Sequence, residues 1–234
     1  MSKVMLAQGI GIAVYTLELA LLLWVSQSRY KKKYYVPSKM LCSVTFVVLA
    51  IVFALVSHHM EYFFGFFPAL CFCLLGDLFM GFYQVGRQKR NLTLGILAFM
   101  IGHLCLLVML FYQSRNMIWW NVLVPVIAVI MLVIMRKVAS MRYGKVWPLA
   151  ICYCIMLALM LSKSTQLMVQ KPGIASAWIG IGGILFFISD FTINFIYFYK
   201  IKNPIWKRWV HAINLVTYFL AILAFDLSIL YGAM

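Results

Sequence analysis

The chain alternates long apolar segments with short polar breaks, and this pattern predicts its secondary structure. Eight segments of roughly 18–26 residues are long enough to cross a hydrocarbon layer at about 1.5 Å per helical residue. The predicted spans are residues 4–25, 39–57, 62–83, 92–113, 117–135, 146–169, 174–199 and 206–231. No connection is long enough to fold by itself, so residues 1–234 are predicted to form one polytopic, all-α transmembrane bundle of eight helices.

Composition and charge support a membrane protein and predict its orientation. Hydrophobic residues make up 65% of the chain and charged residues 11%, whereas soluble domains carry about 25% charge. Fifteen of the 20 Lys and Arg residues occupy alternate loops, against four on the opposite side. Because cytoplasmic loops carry the Lys/Arg excess, both termini are expected on the non-cytosolic side. The +15 net charge is therefore a topology signal, and nucleic acid is not expected as a partner.

The six cysteines all fall inside predicted spans and do not indicate a metal site. Cys71 with Cys73 and Cys152 with Cys154 are two residues apart, a spacing that points side chains to different sides of a helix. The sequence also contains no zinc-binding spacing, phosphate-binding glycine loop or Gly-x-Ser-x-Gly motif. We expect reduced, packed cysteines and no metal.

Two acidic residues within the apolar spans are the strongest functional signal. Asp77 lies in the third span and Asp190 in the seventh, and the chain has only five acidic residues. An ionisable group in the middle of a membrane helix costs at least about 2.5–3.5 kcal/mol, so it normally has a partner or a function. Both aspartates are therefore predicted to be functional.

Other polar residues are predicted to share the cytosolic half of the bundle with these aspartates. Helical spacing groups several of them into stripes that should face the interior, because hydrocarbon offers them no hydrogen bonds. The candidate supporting residues are Glu18, Lys39, His103, Tyr153, Ser189, Asn194, His211 and Tyr218. Asp226, near the outer end of the last span, is expected to reach the membrane interface.

Ordered short motifs resemble the YhhN-like family of membrane proteins, whose characterised members are lysoplasmalogenases. The similar segments are Ser38-Lys39, Leu75-Gly76-Asp77, Gly95 to His103, Gly183 to Ile193, and Tyr218-Phe219. Where the family often has a Gln after the last pair, this chain has Leu220-Ala221-Ile222. The resemblance extends from about residue 38 to about residue 222.

This resemblance implies an enzyme that hydrolyses the vinyl ether of a lysoplasmalogen, a lysophospholipid, to a fatty aldehyde and glycerophosphoethanolamine or glycerophosphocholine. Vinyl ether cleavage begins with protonation of the β-carbon and needs one carboxylic acid and one carboxylate, as in glycosidases. Asp77 and Asp190 are the candidate catalytic pair. They are expected to face each other across a polar cavity open to the cytosol, with Glu18, Lys39 and His103 in its walls. No metal or organic cofactor is required.

Two other classes of function remain open from the sequence. Intramembrane Asp, Glu and His also relay protons in transporters, although the spans show no clear inverted repeat. A non-catalytic lipid-binding protein is the other alternative. In each case we expect a multi-pass protein in the lipid bilayer, either of the cytoplasmic membrane in a bacterium or of the endoplasmic reticulum in a eukaryote.

Overall fold

The computed structural model describes residues 3–232 and confirms the all-α bundle. Its eight helices are each long and apolar enough to cross a membrane. They are α1 Lys3–Gln27, α2 Lys31–Ser57, α3 Met60–Gly86, α4 Lys89–Gln113, α5 Trp120–Val138, α6 Trp147–Gln170, α7 Ile174–Tyr197 and α8 Pro204–Tyr231. A short 3₁₀ turn, Gly144–Val146, precedes α6.

Several helices extend beyond the apolar segments that predicted them. Helix α2 begins at Lys31 rather than at residue 39, and Pro37 lies inside it. Its basic and aromatic first turns are too polar for a hydropathy window but are compatible with a helix end at a membrane surface, where long basic side chains snorkel. Helix α8 begins at Pro204 and its amino end is capped by Asn203, whose Oδ1 accepts hydrogen bonds from the backbone of Ile205 and Trp206.

Helix α8 forms the centre of the bundle. It packs against α1, α2, α3 and α7, while α4 packs against α3 and α6. Helix α5 is peripheral: it packs against α6 and makes no extensive contact with α4. This leaves a gap between α4 and α5 on the outside of the bundle.

The central position of α8 corrects the expectation for Asp226. This residue is 0% exposed, and neither of its carboxylate oxygens has a hydrogen-bond partner among the described residues. Asp226 follows Phe219 by seven residues and therefore lies on the same side of α8, the side that faces α1 through Tyr15. Its distance from the helix end predicted an interfacial position, but the surrounding helices enclose it.

Lys163, which interrupts the apolar pattern of the sixth span, does not break α6. Its side chain is 0% exposed, and Nζ donates hydrogen bonds to the backbone oxygens of Ser114 (2.8 Å) and Asn116 (2.9 Å). It also donates to Gln166 Oε1. These carbonyls follow the end of α4, where unpaired carbonyl groups and the helix dipole favour a cation. Lys163 therefore joins α6 to the connection between α4 and α5.

Candidate active site

Asp77 lies at the centre of a buried polar cluster contributed by α2, α3 and α8. Its Oδ1 is 2.9 Å from Lys39 Nζ, and both side chains are almost completely buried. Its Oδ2 accepts hydrogen bonds from Ser43 Oγ at 2.6 Å and from Tyr218 Oη at 2.8 Å. A buried carboxylate requires this kind of pairing, because desolvation without partners is costly. We call Asp77, Lys39, Ser43 and Tyr218 the Asp77 cluster.

Asp190 belongs to a second cluster, contributed by α4, α6 and α7. Its Oδ2 accepts a hydrogen bond from Tyr153 Oη and lies 3.2 Å from His103 Nε2. The same His103 nitrogen is 3.0 Å from Tyr153 Oη. Three helices thus bring an acid, an imidazole and a phenol within hydrogen-bonding distance, a combination suited to proton transfer. We call these three residues the Asp190 cluster.

Aromatic rings separate the two clusters. The ring of Phe186 lies edge-on to His103, with centroids 4.7 Å apart, and edge-on to Tyr218 at 5.4 Å. Phe99 also contacts the Tyr218 ring, at 5.7 Å. Phe186 therefore contacts one residue of each cluster, and it connects them by packing rather than by hydrogen bonds.

An apolar groove leads to the Asp190 cluster but not to the Asp77 cluster. It has a volume of about 80 Å³ and lies between α4 and α5, with side chains of α3, α6 and α7 forming its floor. Its walls include Ile96 and Phe99 on one side and Met131 and Leu132 on the other. Asp190 and Tyr153 are among its few polar lining groups. A ligand in this groove would have a mainly apolar body and would meet the carboxyl of Asp190.

The groove corrects the prediction of one polar cavity shared by both aspartates. Asp190 lines the groove, whereas Asp77, Glu18, Lys39 and His103 do not. Glu18 was expected in the cavity wall, but its Oε1 instead accepts a hydrogen bond from Thr45 Oγ1 at 3.0 Å. The shared depth of the aspartates did not reveal the aromatic side chains between them.

The remaining predicted residues occupy different positions around these clusters. Ser189, next to Asp190, is bonded to α8: its Oγ donates to Asn214 O and accepts from Asn214 Nδ2. Asn194 lines the groove, and its Oδ1 accepts a hydrogen bond from Tyr143 Oη at 2.9 Å. His211 lies apart from both aspartates, with its ring 5.9 Å from that of Tyr35.

Tyr143 and Ser43 are polar contributors that sequence reasoning missed. Ser43 follows Lys39 by four residues and so lies on the same face of α2, a spacing that could have identified it. Tyr143 lies in the connection before α6, outside the spans. Burial is the main cause that raises the pKa of Tyr143 to about 12, reinforced by Cys154 and opposed by Arg136. Its hydroxyl therefore stays protonated near neutral pH and remains a donor to Asn194.

No three His, Cys, Asp or Glu side chains of the described residues are grouped as a metal site would require. All six cysteines are free, and Cys42 and Cys73 are fully buried. The clusters therefore consist of proton-transfer and hydrogen-bonding groups.

Comparisons with known proteins identify the family. Searches against curated proteins and against solved structures gave no match. The profile of the YhhN family matches residues 35–229, a range that includes both aspartate clusters and all of the groove. Because this range covers most of the chain and agrees with the ordered motifs in the sequence, the protein belongs to the YhhN family.

Proposed function

We propose that this protein is an integral-membrane lysoplasmalogenase, which hydrolyses the vinyl ether of a lysoplasmalogen. The observation that carries the proposal is the Asp190 cluster at an apolar groove between α4 and α5. Membership of the YhhN family supports the same activity. The products would be a fatty aldehyde and glycerophosphoethanolamine or glycerophosphocholine.

The groove suits a substrate with a single alkyl chain. Its lining is mainly apolar, and the gap between α4 and α5 faces the surrounding lipid, because Met131 on its rim is 45% exposed. An alkenyl chain could therefore move sideways from the bilayer into the groove without passing through water. The glycerol carbon is bonded to the ether oxygen and would therefore lie next to Asp190, with the phosphate and its headgroup extending along α7 toward Tyr197, where the helix ends about 10 Å away.

Asp190 is the proposed proton donor. In its protonated form it transfers a proton to the β-carbon of the vinyl ether: the carbon–carbon π electrons form the new C–H bond, and the ether oxygen shares its lone pair to give an oxocarbenium ion. Water then adds to the α-carbon, and its proton passes to the Asp190 carboxylate. The resulting hemiacetal breaks its bond to the glycerol oxygen, which receives the hydroxyl proton, and aldehyde is released.

Tyr153 and His103 would support this cycle through the same carboxyl oxygen, Asp190 Oδ2. The Tyr153 hydroxyl holds Asp190 Oδ2 in position, and His103 can exchange a proton with that oxygen. Positioned acid–base groups of this kind contribute typically about 10²–10⁴-fold to a rate. The cluster therefore has the groups that protonation and water attack require.

Asp77 is the proposed second carboxylate. It does not contact Asp190 directly, and the two clusters meet through the ring of Phe186. Its ion pair with Lys39 fixes the charge, and its bond to Tyr218 fixes the ring that packs against Phe186. In this role it would hold the wall of the site in place. Loss of either aspartate should then reduce hydrolysis, and the two losses should not add, because both serve one transition state.

The activity is tested with purified protein in a neutral detergent in D₂O. We expect a lysoplasmalogen to release aldehyde that carries one deuterium at C2, because the solvent proton adds to the β-carbon. The control lipid, a lysophospholipid with a saturated alkyl ether, should release none. If the wild-type protein bound lysoplasmalogen without releasing aldehyde, the proposal of an enzyme would be wrong and a lipid-binding function would take its place.

A further inference from the structure

A second pocket lies at the end of the bundle whose loops carry most of the Lys and Arg residues, which we call the basic end. It is on a different side of α7 from the groove. It has a volume of about 410 Å³ and no lining residue in common with the groove. Loops from three helix pairs converge on it: α1 to α2, α3 to α4, and α7 to α8. Five cationic side chains line it, and they are Lys31, Arg87, Lys200, Lys207 and Arg208.

These cations have no acidic partner in the pocket. None of its lining residues is Asp or Glu, and the whole chain has only five acidic residues. Like charges held in one concavity repel each other, and a bound anion would relieve that repulsion. Lys and Arg residues in loops can orient a membrane protein without lining a common pocket. The convergence of five of them on one pocket therefore indicates a binding site.

Neutral polar groups form the inner part of the same pocket. Gln84 is bonded through Nε2 to Tyr197 Oη at 2.8 Å, and Nδ1 of His211 is buried without a hydrogen-bond partner among the described residues. Gln84 follows Asp77 by seven residues on α3, and His211 precedes Tyr218 by seven residues on α8. Both therefore lie two helical turns from the Asp77 cluster, in the direction of the basic loops. The pocket therefore has hydrogen-bonding groups as well as charge.

An aromatic pocket adjoins the basic one and indicates the kind of anion. It has a volume of about 480 Å³ and shares Phe195, Tyr199 and Ile201 with the basic pocket. Trp206, which is 63% exposed, forms part of its wall. Aromatic side chains of this type are enriched where membrane meets water. A free inorganic anion would occupy only the basic pocket, whereas a phospholipid would occupy the basic pocket and the aromatic pocket together.

We propose that the basic pocket binds the phosphate-bearing headgroup of an anionic phospholipid, with part of its acyl chain in the adjoining aromatic pocket. Basic pockets between transmembrane helices are suited to such headgroups. This lipid is distinct from the substrate in the groove, and its binding does not depend on whether the protein hydrolyses vinyl ethers.

The test measures the thermal unfolding midpoint of purified protein in neutral detergent during titration with a soluble short-chain phosphatidylglycerol. A ligand that binds only the folded protein raises this midpoint in a saturable way. We expect saturable stabilisation by phosphatidylglycerol and little by short-chain phosphatidylcholine. Inorganic phosphate is titrated in a parallel arm.

The pocket variant is Lys31→Gln/Lys207→Gln, and its matched control is Lys32→Gln/Lys89→Gln, which removes two charges from the same end of the bundle but outside the pocket. Each basic side chain near a lipid headgroup contributes about a factor of five, so the pocket variant should weaken phosphatidylglycerol binding roughly 25-fold. The control should change it less than about twofold. A second pocket variant, Lys200→Gln/Arg208→Gln, serves if the first does not fold.

Three results would overturn the proposal. Equal weakening in the pocket and control variants would show attraction to general surface charge. Phosphatidylcholine binding as tightly as phosphatidylglycerol would exclude a site for an anionic lipid. Inorganic phosphate stabilising the protein at the same concentrations as the lipid would make the ligand a free anion, since the aromatic pocket would then contribute nothing.

Discussion

At the scale of single residues, the two intramembrane aspartates differ in their partners and in their access to a ligand. Asp77 has a cation and two hydroxyl groups around it and does not line the groove, whereas Asp190 has an imidazole and a phenol and does line it. The sequence predicted both carboxyls as functional from their cost in hydrocarbon. Their separate roles depend on neighbours that only the folded bundle brings together.

Removal of the Tyr153 hydroxyl should impair the Asp190 cluster without disturbing the fold. Tyr153→Phe is expected to lower kcat/KM for vinyl ether hydrolysis by about 10–150-fold, because Asp190 becomes a carboxylate as it gives up its proton, and a hydrogen bond to a charged group is worth about 1.5–3 kcal/mol. Tyr143→Phe is the control, since its hydroxyl bonds to Asn194 at the rim of the groove. Steady-state aldehyde release compares them, and equal rates for the two variants would contradict the role given to Tyr153.

The ion pair between Lys39 and Asp77 should dominate the stability of its cluster. Lys39→Met leaves an uncompensated buried carboxylate and is expected to lower the free energy of unfolding by about 3–5 kcal/mol. The double variant Lys39→Met/Asp77→Leu should recover most of this loss, because no charge is left unpaired. Unfolding of the wild-type protein and of both variants in a denaturing detergent measures these free energies. If the double variant were no more stable than Lys39→Met, the loss would come from packing.

At the scale of helices, close approach and buried polar groups determine how the elements pack. A side chain added at Gly183 on α7 would collide with Ser164 on α6, so glycine at this position permits the contact that places α6 beside α7. Asp190 is two turns further along α7, and Tyr153 is three turns earlier on α6. The short distance between these two helices therefore allows the Tyr153 hydroxyl to reach Asp190.

Lys163 should stabilise the connection between α4 and α5 rather than bind substrate. Lys163→Met is expected to lower the free energy of unfolding by about 2 kcal/mol, because the backbone oxygens of Ser114 and Asn116 lose their donor. Lys171→Met is the matched control: Lys171 Nζ also bonds a backbone oxygen at this end of α4, that of Gln113, but it is exposed, so its loss should cost less than about 0.5 kcal/mol. KM should remain unchanged in both. A rise in KM for Lys163→Met alone would give that residue a role in substrate binding.

At the scale of the whole molecule, the sequence predicted the number of helices well because each apolar segment independently meets the length that a membrane requires. It could not predict which helix is central. Asp226 was expected at the interface because of its place along α8, and it is buried because α8 is surrounded by four other helices. The pairing of Asp190 with His103 and Tyr153 was likewise hidden, since it depends on how α4, α6 and α7 rotate against each other.

The orientation of the molecule remains a prediction from the loop charges. Reporter fusions after Arg90 and at the carboxyl terminus should report opposite sides of the membrane, with the basic loop in the cytosol. The basic pocket would then face the leaflet that carries anionic lipids. A cytosolic carboxyl terminus would contradict the predicted topology.

The most direct test of the central claim compares the same substitution at two buried aspartates. Asp190→Asn keeps the size of the side chain but removes the transferable proton, and Asp226→Asn does the same at a buried position outside both clusters. Aldehyde release from lysoplasmalogen, measured per folded protein, should fall by about 10²–10⁴-fold for Asp190→Asn and stay within a few-fold of wild type for Asp226→Asn. Near wild-type turnover by Asp190→Asn would show that Asp190 is not the proton donor and would contradict the proposed mechanism.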